Sequence, residues 1–304
     1  MRVFVSRRIL PAGLDVLREA GLEVRVHDSD IALDHVALKE AVSGCDGLLC
    51  MLNDRIDPSI LNSPGLRVVA NHAVGVDNID LKTASELGIV VTNTPGVLTD
   101  ATADLTMALL LSTARRVVEA DEYARQGRFQ GWAPSLFVGA SLQGKTLGIV
   151  GMGRIGTAVA RRAEAFGMRI LSRRSSGGVD LDTLLAESDF LTLHCPLSER
   201  THHLFNREAF RKMKRSAILI NTARGPVVCE EDLVWALNEG EIAAAGLDVF
   251  EEEPTIHPGL LGLPQVVLLP HIGSADLETR DTMAKMAAKS IVDVLEGRRP
   301  SHPV

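Results

Sequence analysis

LGIVGMGRIG, residues 147–156, is the most informative stretch of this chain, because an apolar run ends there in three spaced glycines. Gly151, Gly153 and Gly156 form the pattern G-x-G-x-x-G. The first glycine allows a tight strand-to-helix turn, the second lets the backbone approach a pyrophosphate, and the third allows the helix to pack closely on the strand. The stretch therefore predicts a dinucleotide-binding site in an α/β domain.

The flanking sequence supplies the βαβ context that the glycine pattern needs. TLGIV before it is strand-like, TAVARRAEAFG after it has apolar residues at helical spacing, and a second strand begins at Met168. The predicted helix, about 155–166, directs its positive N-terminal end at an anion. Arg154 and Ile155, at the start of this helix, are therefore candidate cofactor-binding residues.

The end of the second strand bears on which dinucleotide is bound. NAD-binding sites normally place Asp or Glu about 20 residues beyond the glycines, to accept hydrogen bonds from ribose hydroxyls. Here the sequence reads Ser172, Arg173, Arg174, Ser175, without a carboxylate. Two guanidiniums and neighbouring hydroxyls suit a 2′-phosphate. We predict NADP(H) as the preferred cofactor, with NAD(H) possible; the alternative is a solvated basic turn.

Length, charge and cysteine content favour a two-domain cytoplasmic protein. The 304 residues suit two domains of ordinary size, and the net charge of -7 comes from interspersed acids and bases. This argues against a nucleic-acid-binding surface or a polybasic membrane segment. Four cysteines form no metal-ligand pattern or disulfide framework, and the first residues resemble a strand more than a signal peptide. We expect no metal, no membrane and no nucleic-acid partner.

Short apolar runs alternate with amphipathic stretches from Arg2 onward, which is typical of parallel sheets covered by helices. The pattern predicts a substrate domain over residues 1–97, completed by 275–304, and a Rossmann cofactor domain over 98–274 inserted within it. A single long helical segment, about 99–126, is expected after the first strands. The predicted fold class is α/β, with two Rossmann-like domains.

Three polar residues follow predicted strands of the cofactor domain, where ligands gather in open parallel sheets. Arg224 follows AILINTA, Glu253 follows GLDVFEE, and His271 follows VVLLP. Individually they could be a turn arginine, a solvated acid and a structural histidine. Together they suit a 2-oxo acid, which needs a cation for its carboxylate and a proton donor at its carbonyl, such as a histidine whose charged form a carboxylate stabilises.

These residues lie in motifs spread over nearly the whole chain. The motifs are NHAVGVDNID, VTNTPGVLTDATADLTMALLL, GMGRIG, HCPL, ILINTARGPVV, AAGLDVFEEEP and LPHIGSA. With them the chain resembles the D-isomer-specific 2-hydroxyacid dehydrogenases, most closely the glyoxylate and hydroxypyruvate reductase branch. The resemblance implies two domains flanking a cleft. It also implies hydride transfer between a nicotinamide cofactor and a small 2-oxo or 2-hydroxy acid, without a metal.

Site residues carried over from this resemblance extend the candidate set. Arg224 would bind the substrate carboxylate, His271 would act as general acid and base, and Glu253 would orient it. Substrate contacts are expected at Asn53, Val74, Gly75 and Trp132, the last reaching a neighbour's active site in a homodimer unless it is an ordinary core or surface residue. The remaining expected cofactor contacts are Thr102, Cys195, Pro196, Thr222, Ala223, Asp248 and Gly273.

Other activities stay open at this point. Another D-2-hydroxyacid dehydrogenase, of the 3-phosphoglycerate or D-lactate type, is the main enzymatic alternative. Formate dehydrogenation is disfavoured because that branch pairs its histidine with glutamine, where this chain has Glu253. A dinucleotide-sensing binding protein of the same fold would keep the same three residues. The loop after Arg174 is also shorter than the family's usual loop, which leaves the hydrogen-bond partners of the adenosine phosphate open.

Overall fold

A computed structural model describes residues 1–174 and 177–304 and divides the chain into two compact units. The first unit contains residues 1–98 and 274–304, and the second contains residues 99–273. The second unit is therefore an insertion, in sequence, within the first. Both units have parallel sheets with connecting helices, which confirms the predicted α/β fold class.

The first unit is a five-stranded parallel sheet with the strand order β2-β1-β3-β4-β5. Strands β3 and β4 are buried at every residue, as expected for central strands of a sheet covered on both faces. In chain order its elements are β1 (Arg2–Val5), α1 (Pro11–Glu19), β2 (Glu23–Val26), α2 (His35–Val42), β3 (Gly47–Cys50), α3 (Pro58–Leu61), β4 (Val68–Asn71), α4 (Leu81–Glu86) and β5 (Val90–Thr92).

The second unit has seven strands in the order β12-β11-β10-β9-β6-β7-β8. Its elements are α5 (Thr99–Ala114), α6 (Val117–Arg125), β6 (Thr146–Val150), α7 (Arg154–Ala165), β7 (Arg169–Arg174), β8 (Gly177–Gly178), α8 (Leu181–Glu187), β9 (Phe190–Leu193), α9 (Arg207–Lys212), β10 (Ile218–Asn221), a short 3-10 helix (Gly225–Val227), α10 (Glu230–Asn238), β11 (Ala244–Leu247), α11 (Pro258–Leu261) and β12 (Val266–Leu268).

The final helix, α12 (Leu277–Leu295), belongs to the first unit and packs against α1. Gly13 of α1 makes this close approach possible, because a Cβ atom there would lie 2.8 Å from Cβ of Ala284. Asp276 begins the helix by accepting a hydrogen bond from the backbone N–H of Thr279 at 2.6 Å. Within the described residues, no helix has the length and apolar character needed to cross a membrane.

The prediction of one long helix over 99–126 is wrong, because the helical segment is broken after Ala114. Arg116 has a φ of 53°, a left-handed conformation that a right-handed helix cannot continue through. The carbonyl of Ala114 instead accepts a hydrogen bond from the backbone N–H of Ala140 at 2.8 Å. The helix α5 thus ends at Ala114, and α6 is a separate helix that begins at Val117.

Candidate active site

The glycine turn lies between β6 and α7, as the sequence predicts, and two of its glycines are fixed by close contacts. A Cβ atom on Gly151 would lie 2.6 Å from the carbonyl carbon of His194, and the φ of Gly151 is 97°. A Cβ atom on Gly156 would lie 2.1 Å from the carbonyl oxygen of Gly151. Glycine is therefore required at both positions. At Gly151 it lets the turn pass close to the end of β9, and at Gly156 it lets α7 begin directly against the turn.

Gly153 differs from these two glycines because a Cβ atom there would meet no atom within 4 Å. It is the N-cap of α7, and the first backbone N–H groups of a helix have no partner within the helix. Arg154 and Ile155 contribute two of these groups. An open space beside unpaired, positively polarised N–H groups fits a pyrophosphate, so the turn can accommodate a dinucleotide.

The strand β7, which lies next to the glycine turn, ends with Ser172, Arg173 and Arg174. The backbone carbonyl of Arg173 accepts a hydrogen bond from the N–H of Gly151 at 3.0 Å, which ties this strand end to the turn. Within the described ranges, neither guanidinium forms an ion pair with a carboxylate. Ser175, the fourth predicted phosphate contact, lies outside the described residues.

The sheet of the second unit has an edge strand, β8, that the sequence did not predict. Strand β8 pairs antiparallel with β7, with Arg173 opposite Gly178. A Cβ atom on Gly178 would lie 2.2 Å from the carbonyl oxygen of Ser172, so glycine is required at this crossing. Gly177–Gly178, within the short connection noted in the sequence, is thus an added edge strand, and Arg174 at the end of β7 is exposed.

Further cofactor candidates follow the central strands of the same sheet. Thr222 follows β10, and its hydroxyl lies 2.9 Å from that of Thr106 on α5. Thr102 is one turn earlier on α5, and its carbonyl accepts a hydrogen bond from the Thr106 hydroxyl at 2.7 Å. The others also follow strands: Cys195 is buried and Pro196 exposed after β9, and Ala223 is half-buried after β10.

Asp248, directly after β11, is a buried carboxylate held by the chain that follows β12. It is 1% exposed, and its Oδ1 atom accepts a hydrogen bond from the backbone N–H of Ile272 at 2.8 Å. Gly273 lies beside it, since a Cβ atom there would be 3.2 Å from Oδ2. Burial raises the pKa of Asp248 from 3.8 to about 6, while the Ile272 N–H and the charge of His271 act in the opposite direction.

Arg224 is placed by a turn that the side chain of Asn221 organises at the end of β10. The Oδ1 atom of Asn221 accepts a hydrogen bond from the backbone N–H of Ala223 at 3.0 Å, and its Nδ2 atom donates to the carbonyl of Arg224 at 2.9 Å. Gly225 then passes close to the backbone of Phe250. Asn221 is a positioning residue that the sequence analysis missed, although it stands inside the motif ILINTARGPVV.

Glu253 and His271 come together after two neighbouring parallel strands, β11 and β12. The Nδ1 atom of His271 lies 2.9 Å from Oε2 and 3.1 Å from Oε1 of Glu253. Both side chains are 25% exposed, so the pair is accessible yet partly shielded from water. Glu253 is itself oriented, because its Oε1 atom accepts a hydrogen bond from the backbone N–H of Phe250 at 3.1 Å.

His271 also has an unusual backbone conformation, with a φ of 53°. A left-handed conformation costs a non-glycine residue of order 1 kcal/mol or more, and such residues are frequent at functional sites. The ring contact with Glu253 and the bond from Ile272 to Asp248 hold the chain on both sides of this turn. The arrangement suits a general acid whose Nδ1 atom faces a carboxylate and whose Nε2 atom is left for another partner.

The predicted substrate residues of the first unit lie in loops after β3 and β4. Asn53 is exposed, and its Oδ1 atom accepts a hydrogen bond from Arg7 at 3.3 Å. The carbonyls of Val74 and Gly75 accept hydrogen bonds at 2.7 Å from the side chains of Asn93 and Asn71, respectively. These bonds fix the course of the backbone at 74–75, where amide N–H groups are expected to bind a carboxylate.

Asn78 links the two loops of the first unit. Its side-chain amide donates hydrogen bonds at 3.0 Å to the carbonyls of Met51 and Asp54, and its Oδ1 atom accepts one from Asn71 at 3.1 Å. Asn71, Asn78 and Asn93 were not among the predicted site residues. Their signal was visible, since two stand in NHAVGVDNID and one in VTNTPG.

Trp132 lies in the second unit and is 86% exposed, which excludes the core alternative. Phe129 and Val138, in the same connection after α6, are exposed by 61% and 65%. The segment therefore presents several large apolar side chains to solvent.

The fold and the strand-end residues of the second unit define a dinucleotide-binding α/β protein with a paired histidine and carboxylate. Residues 107–273 match the family described as D-isomer specific 2-hydroxyacid dehydrogenase, NAD binding domain. A glyoxylate reductase of Thermococcus litoralis is 47% identical over 319 residues, covering 100% of this chain and 96% of that protein. The chain belongs to the D-isomer specific 2-hydroxyacid dehydrogenase family, which confirms the resemblance stated above.

Solved structures agree with this assignment. The TT0316 protein of Thermus thermophilus has a TM-score of 0.96 at 51% identity and covers 100% of both chains. The NADPH-dependent glyoxylate/hydroxypyruvate reductase of Sinorhizobium meliloti, in complex with NADP and malonate, has a TM-score of 0.88 at 35% identity. That comparison covers 100% of this chain and 96% of the other.

The different surroundings of Gly153 and Gly156 predict separable effects of two alanine substitutions. Gly156→Ala pushes a methyl group against the Gly151 carbonyl and should cost about 1–3 kcal/mol of stability, seen as a lower Tm. Gly153→Ala should leave the Tm nearly unchanged and weaken dinucleotide binding, measured by fluorescence titration with NADPH. A Gly153→Ala variant that binds NADPH normally would show that the open space does not accommodate the pyrophosphate.

The raised pKa of Asp248 predicts a specific pH dependence of stability. Its folded pKa, about 6, exceeds the ordinary value of 3.8, so its stabilising contribution is complete below about pH 4 and is lost as the pH rises through 6. Asp248→Asn keeps an oxygen for the Ile272 N–H and removes the ionisation. The Tm of the variant relative to wild type should therefore rise between pH 4 and pH 7. Parallel melting profiles across this range would contradict the raised pKa.

Proposed function

We propose that the protein reduces glyoxylate or hydroxypyruvate to the D-2-hydroxy acid, with NADP(H) preferred over NAD(H). The observation that carries the proposal is the hydrogen bond from His271 to Glu253 at the edge of a dinucleotide-binding sheet. Relatives that are 47% identical over the full chain bear the name glyoxylate reductase, and the Sinorhizobium meliloti relative is described as NADPH-dependent. The family, the site chemistry and these names favour the same reaction.

His271 provides the proton in this mechanism. Because its Nδ1 atom faces the Glu253 carboxylate, its Nε2 atom is the one that donates to the substrate's carbonyl oxygen. The carboxylate fixes the orientation and the tautomer of the ring. In the direction of oxidation the same Nε2 atom accepts the hydroxyl proton, so one residue acts as acid and base.

Arg224 binds the carboxylate of the substrate and polarises the neighbouring carbonyl. A guanidinium suits this task because its planar N–H groups match the two oxygens of a carboxylate. The turn that Asn221 organises sets the arginine backbone before any substrate arrives, and such preorganisation lowers the cost of binding. We also propose that Asn53 and the backbone of Val74 and Gly75 contact the substrate.

A bound nicotinamide dinucleotide supplies the hydride for this reaction. The N-terminus of α7 and Gly153 would hold its pyrophosphate, and Arg173 and Arg174 would bind a 2′-phosphate. The segments after β9, β10 and β11 would line the rest of the cofactor, with Asp248 near the carboxamide. We accordingly assign residues 98–274 as the cofactor domain and residues 1–97 with 275–304 as the substrate domain.

We further propose that the protein is a homodimer. The exposed apolar side chains of Phe129, Trp132 and Val138 would be covered by a second copy, with Trp132 reaching the neighbour's active site. Near this segment the second unit has a cavity of about 460 Å³, lined by Val118, Val138 and residues at the start of β10, β11 and β12. A cytoplasmic location stays a prediction.

Replacing the proposed acid tests this function directly. His271→Ala should reduce glyoxylate turnover with NADPH by about two to four orders of magnitude, because proton donation is lost. NADPH affinity, measured by fluorescence titration, should change little and serves as the control for folding. Turnover within a few-fold of wild type would exclude His271 as the proton donor.

Replacing Arg174, the exposed arginine at the end of β7, tests the cofactor preference. Arg174→Asp should lower kcat/KM for NADPH much more than for NADH, because a carboxylate repels the 2′-phosphate. Arg215→Asp makes the same change of charge at another exposed position of the second unit and should leave the ratio of the two values unchanged. Equal ratios for Arg174→Asp and wild type would contradict the assigned phosphate contact.

A further inference from the structure

A second cluster of ligating side chains lies in the second unit, apart from the pair of His271 and Glu253. It consists of His203, Cys229 and Glu251, whose ligating nitrogen, sulfur and oxygen atoms all lie within 4.8 Å of one another. Glu251 faces His203, whereas Glu253 faces His271, so the two carboxylates have different partners. Neither the family match nor the proposed reaction assigns a role to this cluster.

Backbone pairing brings two members of the cluster together. The chain at 203–205 runs parallel to the chain at 226–229, with a bridge between Phe205 and Val228. The N–H of His203 donates to the carbonyl of Pro226 at 2.8 Å, and the N–H of Cys229 donates to the carbonyl of Phe205 at 2.9 Å. These hydrogen bonds fix the backbone positions from which the side chains of His203 and Cys229 extend.

Glu251 is held by a reciprocal contact with Glu230. Its Oε2 atom accepts a hydrogen bond from the N–H of Glu230 at 2.9 Å, and Oε1 of Glu230 accepts one from the N–H of Glu251 at 2.8 Å. The Oε1 atom of Glu251 contacts Nε2 of His203. One carboxylate oxygen is therefore anchored, and the other is directed toward the imidazole.

The surroundings of the cluster are rich in negative charge. Burial, followed by the charges of Asp232 and Glu251, raises the pKa of the Cys229 thiol, and burial also raises the pKa of Glu230. Among the described residues 1–174 and 177–304, two ion pairs involve these acids. Asp232 pairs with Arg207 at 3.2 Å, and Glu251 pairs with His203. A cation placed among these groups would be strongly attracted.

We propose that His203, Cys229 and Glu251 bind one thiophilic divalent cation of the Zn²⁺ class, with water as the fourth ligand. Imidazole nitrogen, thiolate sulfur and carboxylate oxygen are the ligand types that Zn²⁺ takes in tetrahedral sites. A neutral imidazole with two anionic ligands balances the charge of the ion. On binding, the ion exchanges three of its hydration waters for the three side-chain ligands, coordination replaces the hydrogen bond between His203 and Glu251, and the Cys229 thiol releases its proton to solvent.

The geometry requires only a small adjustment. Metal–ligand distances of about 2.0–2.3 Å bring tetrahedral ligand atoms to roughly 3.3–3.8 Å from one another. The present separations, at most 4.8 Å, need side-chain movements of about 1 Å. His203 and Glu251 are 35% and 26% exposed, so an ion can reach them from solvent.

Cobalt titration of the reduced full-length protein tests this site without any turnover, so its outcome is independent of the proposed function. Co²⁺ should produce a thiolate-to-cobalt charge-transfer band that saturates at one equivalent per chain, and Zn²⁺ should abolish the band by displacement. Cys229→Ser should remove it. Serine is favoured at the N-cap position of α10 that Cys229 occupies, so this variant should fold. Cys45→Ser, which changes a buried thiol of the first unit, should retain the band.

A second variant removes a different ligand. His203→Gln should weaken Co²⁺ binding by more than the roughly 10–100-fold that loss of an outer-shell partner costs. Absence of the band in the wild-type protein, or its retention in Cys229→Ser, would overturn the proposed site. Unchanged affinity in His203→Gln would do the same for the ligand set.

Discussion

The contact between the His271 imidazole and the Glu253 carboxylate is the interaction on which the proposed chemistry of this protein depends. It links the chain after β11 to the chain after β12, and it lies beside a histidine backbone in the left-handed region. An unpaired imidazole could adopt several orientations and either tautomer. With the carboxylate on Nδ1, one orientation and one donating atom are selected.

The parallel sheet of the second unit explains why the other polar groups gather near this pair. Strands β10, β11 and β12 are neighbours with parallel register, so the segments that follow them begin at the same edge. The Asp248 N–H donates to the carbonyl of Asn221 at 2.9 Å, and the Asp248 carboxylate accepts from the Ile272 N–H at 2.8 Å, so hydrogen bonds connect these segments. The core on which this sheet packs is apolar and buried. The polar side chains at the edge of the sheet are therefore the groups able to bind ligands.

Features with strong local signals were predictable from the sequence. The glycine turn, the strands on either side of it and the placement of Arg224, Glu253 and His271 after strands all depend on short motifs and hydrophobic periodicity. The break at Arg116 was not predictable, because no glycine or proline marks it and the carbonyl of Ala114 is satisfied by Ala140, far along the chain. The strand β8 was missed because its two glycines resemble a loop.

Sets of residues from distant segments were also beyond sequence reasoning. The four cysteines formed no ligand spacing, yet folding places Cys229 beside His203 and Glu251, which come from other segments. The asparagines that hold the loop at 74–75 likewise act on backbone carbonyls of different loops. Such contacts depend on the register between neighbouring strands. The sequence pattern indicates which face of each strand is buried, but it does not specify which residues of different segments come together.

Initial rates of NADPH and NADH oxidation by the purified protein, with glyoxylate, hydroxypyruvate and pyruvate offered separately, distinguish the proposed reductase from its alternatives. We expect rapid NADPH oxidation with glyoxylate or hydroxypyruvate and slower oxidation of NADH. Efficient turnover of pyruvate alone would contradict the assigned substrate and favour a D-lactate dehydrogenase. Tight NADPH binding without turnover of any of the three acids would contradict the proposed reductase and favour a dinucleotide-sensing protein.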